Sequence, residues 1–199
     1  MSPAAQRLFG TLRRVLAHKG ALLSVLFLVT LLLTALLARW ILPFDPLAQD
    51  YTKMLQAPGK VHWFGTDELG RDILARVVFG ARTSLLTAAG AVTIAALIGV
   101  PIGLVAGFFG GWRDALLMRF VDVLLSLPGI LFAMAMIAVL GRSQMAALVA
   151  VGITGIPSFA RITRAQVLSL RKRDFVTAVE ALGGSSAYNM FRTVLPNSW

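Results

Sequence analysis

The sequence predicts an all-α integral membrane protein, on three observations. Of its 199 residues 57% are hydrophobic and 14% charged, with a mean hydropathy of +0.78, too apolar a balance for a soluble domain of this size. The apolar residues gather into four charge-free runs, 21–38, 83–112, 123–141 and 143–160, of 18, 30, 19 and 18 residues, against roughly 20 needed to cross a hydrocarbon core. The 19 Lys and Arg residues lie between and beside these runs. There they set topology or meet anionic membrane lipid rather than follow a nucleic-acid backbone. The absence of cysteine excludes disulfides, thiolate metal sites and cysteine nucleophiles.

The first element is a leader, 1–20, carrying Arg7, Arg13, Arg14 and Lys19. The apolar run after it is longer than a signal-peptide core and no A-x-A site follows, so 21–42 reads as an uncleaved anchor helix. The next segment, 43–82, opens loop-like, with Pro43, Pro46, Pro58 and Gly59. Its second half, TDELGRDILARVVFG, has a cap residue at Thr66 and an acidic first turn, which predicts a short surface helix over 67–79. Asp67, Glu68 and Asp72 sit beside Arg71 and Arg76, so the reading is a solvated helix with pairs such as Asp72 with Arg76, in preference to a cation site.

Three further spans fill 83–165. In the first, Ala91, Ala95, Gly99, Gly103, Gly107 and Gly111 recur every four residues, a ridge of small side chains that lets a neighbouring backbone approach closely. Pro101 predicts a kink. Asp122, at the head of the next span, is expected to pair with Arg119. Pro128 and Gly129 break that span, and Gly155 and Pro157 are expected to break the last one. Broken helices are tolerated against protein or a water-filled path, which makes Thr154, Pro157 and Ser158 the first choice for pathway-lining residues.

The tail, 166–199, reads as two short helices hinged at Gly183 and Gly184. With the N-terminus inside, Lys and Arg in the inner segments number twelve and in the outer segments seven, which places the tail in the cytoplasm and 43–82 outside. On composition alone Arg171, Lys172 and Arg173 equally suit an amphipathic element lying on lipid. His18 and His62 fall on opposite sides of the membrane with no triad partners, and no G-x-x-x-x-G-K-[ST] loop is present. Any energy it uses must therefore come from a partner.

The runs HWFGTDELGRDILARVVFGARTSLL, GVPIGLVAGFFGGWRDALLMRFVDVLLSLPGILFAMAMIAVLG and RAQVLSLRKRDFVTAVEALGGSSAYNMFRTVLPN closely resemble bacterial ABC-importer permeases of the dipeptide, oligopeptide and nickel group, C-type subunit. The resemblance covers nearly the whole chain from His62 onward. It implies a type I importer permease in the bacterial inner membrane, working with a second permease subunit, two cytoplasmic ATPase subunits and an extracytoplasmic solute-binding protein. ATP and Mg would be bound by the ATPase partner, with no cofactor in this chain. The implied substrate is a di- or oligopeptide, with nickel or another small solute, or a non-transporting truncated scaffold, as the alternatives.

The family's coupling element, EAA, three residues, Gly, nine residues, an aliphatic residue and Leu-Pro, aligns on Thr177, Ala178, Val179, Gly183, Val194, Leu195 and Pro196, with Gly184 and Arg192 inside it. The expected Glu is replaced by Thr177, and Glu180 is the nearest acid. The resemblance also implies six spans, of which four are present, so the chain is expected to be a fragment that does not transport alone.

Overall fold

The computed structural model describes residues 18–198, and its regular structure there is helical apart from one antiparallel bridge between Thr66 and Asp72. The leader expected over 1–20 lies, up to residue 17, outside the described residues. Among the described residues three helices are long and apolar enough to cross a membrane, and the number rises to four if the bent pair Gly111–Ser126 and Gly129–Leu140 is one broken span. The chain divides into two compact units between Leu86 and Thr87.

In the first unit, α1 (Lys19–Ile41) has 23 residues, about 34 Å of helix, which covers the hydrocarbon thickness. Ala35 and Ala38 are buried, while Leu26, Phe27, Leu33 and Leu36 stay exposed, the surface of a helix whose other faces meet lipid. The chain then folds back on itself through a compact loop. A 3₁₀ turn (Tyr51–Lys53) is capped by Asp50, and backbone bonds join Asp50 to Leu69, Leu55 to Asp67 and Gln56 to Thr66.

Asp67 is the hub of this loop. It accepts the amides of Leu69 and Arg71 at 2.9 and 3.0 Å and the guanidinium of Arg71 at 2.8 Å, and it also holds Arg76. Partial burial pushes its carboxyl upward, but the Arg71 and Leu69 amides and the Arg71 guanidinium outweigh that and hold it at about 2. Lys53 and Thr52 likewise hold Asp50 down at about 2.

The separate surface helix expected over 67–79 does not form. Asp72 accepts the Ala75 amide at 2.7 Å, an N-cap that starts α2 (Ile73–Phe109) there and sends it on without interruption. Thr66, read as the cap, instead bonds Lys53 O and receives the Gln56 amide within the loop. The expected Asp72–Arg76 pair is replaced as well, because the cap geometry turns Asp72 toward His62, 2.9 Å away, and leaves Arg76 to Asp67.

In the second unit, the later turns of α2 lead into α3 (Gly111–Ser126) and α4 (Gly129–Leu140), which meet at an 85° bend at Leu127 and Pro128. The bend is the expected break in the third span. α5 (Gln144–Leu170) follows, capped by Ser143, whose hydroxyl oxygen accepts the Ala146 amide at 3.0 Å. Pro101 and Pro157 both lie inside unbroken helices. The break expected at Gly155 and Pro157 is absent. Gly152, Ile156 and Ala160 are seated on α2, and that packing holds the helical path through the proline.

The small-residue ridge of α2 is where the two helices meet. A Cβ on Gly99 would stand 2.7 Å from Ile156 O, and one on Gly103 2.3 Å from Ala160 O. Ala91 and Ala95 are buried on the same line, and Gly107 continues it against Val167. Two ion pairs tie α3 to α5: Arg164 grips Asp114 with two bonds of 2.6 Å, and Arg161 reaches Asp122 at 2.7 Å. The pairing of Asp122 with Arg119 is thereby overturned. A base three residues before an acid on one helix is the poorer orientation, and α5 brings a guanidinium directly alongside.

Candidate functional site

The tail folds as a helix pair on the ends of α2 and α5. α6 (Asp174–Ala181) ends in a double closure: the Gly183 amide donates to Glu180 O at 3.0 Å and the Gly184 amide to Val179 O at 2.9 Å. This arrangement needs a left-handed residue, and Gly183 supplies it with φ +81°. Ser185 then caps α7 (Ser186–Tyr188), its hydroxyl oxygen accepting the Tyr188 amide at 3.2 Å. The helix widens into a π-helical stretch (Asn189–Val194) before its last turn, α8 (Leu195–Asn197). Such wide turns gather at functional sites.

One core holds these pieces together. Leu104 and Phe108 from α2, Val167 from α5, Val176 from α6, and Met190 and Val194 from the π-helical stretch are all buried in it, with Leu195 packed against them. Asn189 is fully buried at its edge, its amide donating to Val176 O at 3.2 Å and to Glu180 Oε1 at 3.3 Å. The hinge is therefore stiffened from both sides. The two helices share apolar contacts, and an amide clamp spans the Gly183 turn.

The sequence-predicted residues divide into supports and surface. Val194 lies in the core, Val179 and Leu195 are half-buried, and Gly184 presses on Val179, where a Cβ would meet Val179 O at 2.8 Å. Thr177, Ala178, Glu180, Arg192 and Pro196 are exposed. Thr177 spends its hydroxyl on Asp174 O, 3.0 Å away. Around them Phe175, Leu182, Tyr188 and Phe191 are exposed too, Leu182 to 87%. An apolar surface studded with Arg171, Lys172, Arg173 and Arg192 is left on a rigid support.

Of the residues chosen for a solute path, Pro157 is buried, Thr154 is half-buried with its hydroxyl on Val151 O at 2.8 Å, and Ser158 is exposed. Sequence reasoning missed the Asn189 clamp and the Asp114–Arg164 pair. The second had a signal, since Asp114 and Arg164 are opposite charges at the ends of apolar runs, each with a basic neighbour, Arg113 and Arg161. The first had none, because nothing in the sequence near Asn189 shows that its amide meets Val176 O and Glu180 across the Gly183 turn.

Residues 99–199 match the family model for the binding-protein-dependent transport system inner membrane component, and residues 9–58 match the model for the N-terminal TM domain of oligopeptide transport permease C. The chain is 39% identical over 181 residues to the dipeptide transport system permease protein DppC of Alkalihalophilus pseudofirmus, covering 91% of this chain and 60% of that protein. It is 37% and 42% identical over 187 residues to the glutathione transport system permease proteins GsiD of Pectobacterium atrosepticum and Escherichia coli, covering 94% of this chain and 62% of each. The chain thus spans about 60% of the length of the curated relatives it matches.

Proposed function

The chain belongs to the family of binding-protein-dependent transport system inner membrane components, and from that membership we propose that it serves as a permease subunit of an ATP-driven importer of di- or oligopeptides. The relatives' names, dipeptide and glutathione permeases, support a peptide as the solute class. The chain lies with its N-terminus and tail in the cytoplasm and the 43–82 segment outside, a placement supported by the excess of Lys and Arg in the inner segments. A second permease completes the path, to which Thr154 and Ser158 contribute, and a binding protein delivers the peptide. Two ATPase subunits bind ATP and Mg.

The observation that carries the coupling role is the shared core beneath the tail. A partner ATPase seats on Leu182, Tyr188, Phe191 and Arg192, and its closure around ATP pushes this surface. Val176, Met190 and Val194 are packed on Leu104, Phe108 and Val167, so the push reaches α2 and α5 directly. Rigid-body tipping of the spans then exchanges inward- and outward-facing states.

The test uses the complete importer. Gly183→Pro, which removes the amide that closes α6, and Arg192→Glu, which reverses the exposed charge, are each expected to lower peptide-stimulated ATP hydrolysis and uptake. Full activity of both variants in an assembled complex would sink the proposal.

A further inference from the structure

The first unit carries an apolar cavity of 420 Å³ between the end of α1, the following loop and the first turns of α2. Ala38, Leu42, Phe44, Trp63 and Leu74 form its walls. It extends down to Thr34, seven residues before the end of α1, and to Val78 on the second turn of α2, so it reaches about 10 Å below the helix ends. Trp40 and Trp63, 86% and 70% exposed, mark the level of its mouth, where aromatic rings collect at the membrane–water boundary. One cation stands among the lining residues: Lys60 is exposed and has no ion-pair partner among the described residues. Asp72 also reaches the wall, but its Oδ2 is taken by His62 and its Oδ1 by the Ala75 amide.

We propose that this cavity is a phospholipid site, taking one acyl chain in the apolar cleft and the anionic phosphate on Lys60. The depth suits a tail, the unpaired ammonium suits a phosphate, and the volume lies within the range of small-ligand sites, about 300–1,000 Å³. The site requires only that α1 and α2 cross the membrane. It stands whichever solute the importer carries and whichever way the chain faces.

The chain, extracted with its bound partners into nanodiscs of phosphatidylethanolamine with phosphatidylglycerol bearing a photoactivatable acyl chain, provides the test. Labelling is expected to concentrate on the peptides containing Ala38, Leu42 and Trp63. Lys60→Glu should lower it about fivefold there, the factor equivalent to about 1 kcal/mol for one basic residue near a membrane surface, and Lys60→Arg should restore it. Thr34→Trp, which fills the floor, should abolish it with Lys60 intact. Labelling spread evenly over the exposed leucines of α1 and indifferent to these changes would mean annular lipid only and overturn the proposal.

Discussion

Replacing Gly103 by alanine tests whether backbone approach sets the α2–α5 interface. The added Cβ would stand 2.3 Å from Ala160 O, 2.8 Å from Thr163 Cβ and 2.9 Å from Arg164 N. Two of these are backbone atoms of α5, so no rotamer change relieves the clash. Ordinary contact begins near 3.4 Å, and the helices must part by about 1 Å. That gap strips contacts along the ridge on both sides of the substitution, and overpacking of this kind costs about 1–3 kcal/mol. Gly103→Ala belongs at the upper end of the range. Gly99→Ala, with its nearest atom 2.7 Å away, should cost less, and Gly107→Ala, at 2.9 Å, least.

A control of opposite sign lies on the same helix. A Cβ added at Gly80 would meet nothing within 4 Å, so Gly80→Ala should stabilise by about 0.5–1 kcal/mol through helix propensity alone. Equilibrium unfolding in mixed micelles, followed by helical circular dichroism, measures all four variants. If Gly103→Ala unfolds with Gly80→Ala rather than well before it, close backbone packing does not hold these helices together.

Asp114→Ala should destabilise by about 1–3 kcal/mol, toward the lower end because Arg164 is 34% exposed, and the double variant with Arg164→Leu should recover part of the loss; a thermal-unfolding double-mutant cycle with no coupling would refute the pairing. The loop around Asp67 and Asp50 carries a pH dependence of defined sign. Both carboxyls are lowered from 3.8 to about 2, so their contribution is complete above about pH 4 and is lost as pH falls from there through about 2. Trp63 fluorescence should report loop opening in that window, and a transition centred above pH 5 would assign the opening to other groups.

Some features of this chain are readable because one physical constraint acts on them alone. Hydrocarbon thickness writes the spans as charge-free runs, and close helix approach writes the ridge as a small residue every fourth position, from Ala91 to Gly107. The turn at Gly183 is legible for the same reason, since a left-handed closure favours glycine over any residue with a Cβ. Competing constraints hide the rest. The acids of TDELGRD suit a helical first turn and an Asx-capped loop equally well, and only the bonds of Asp67 to Leu69, Arg71 and Arg76 decide for the loop. Asp122 has a local partner in Arg119 and a distant one in Arg161, and sequence proximity favours the one that the packing rejects. Pro157 signals a break that neighbouring glycines, seated on α2, cancel.

These packing facts locate where the second unit can bend. From Ala91 to Gly107 α2 meets α5 at contact distance, and sliding one past the other is opposed at every fourth residue. α3 is tied to α5 by Asp114 and Asp122, and the tail is seated on both α2 and α5. Beyond the 85° bend α4 packs along α5 as well, but among the described residues no ion pair holds it there, so motion driven from the tail should carry α5 with the later turns of α2 and flex at Leu127 and Pro128. The chain has no cysteine, which makes paired cysteine substitution a clean test. Ala95→Cys with Gly155→Cys joins two faces already in contact; a Cβ at residue 155 would stand 2.9 Å from that of residue 95, short of the about 3.5–4.5 Å that a disulfide spans, so the helices give by several tenths of an ångström, and oxidation should leave uptake by the complete importer at the level of the reduced double variant. Gly129→Cys with Thr154→Cys, 3.9 Å apart, ties α4 to α5 across the bend and should suppress uptake until a reductant is added. The reverse pattern, uptake stopped by the first cross-link and unaffected by the second, would place the moving joint between α2 and α5.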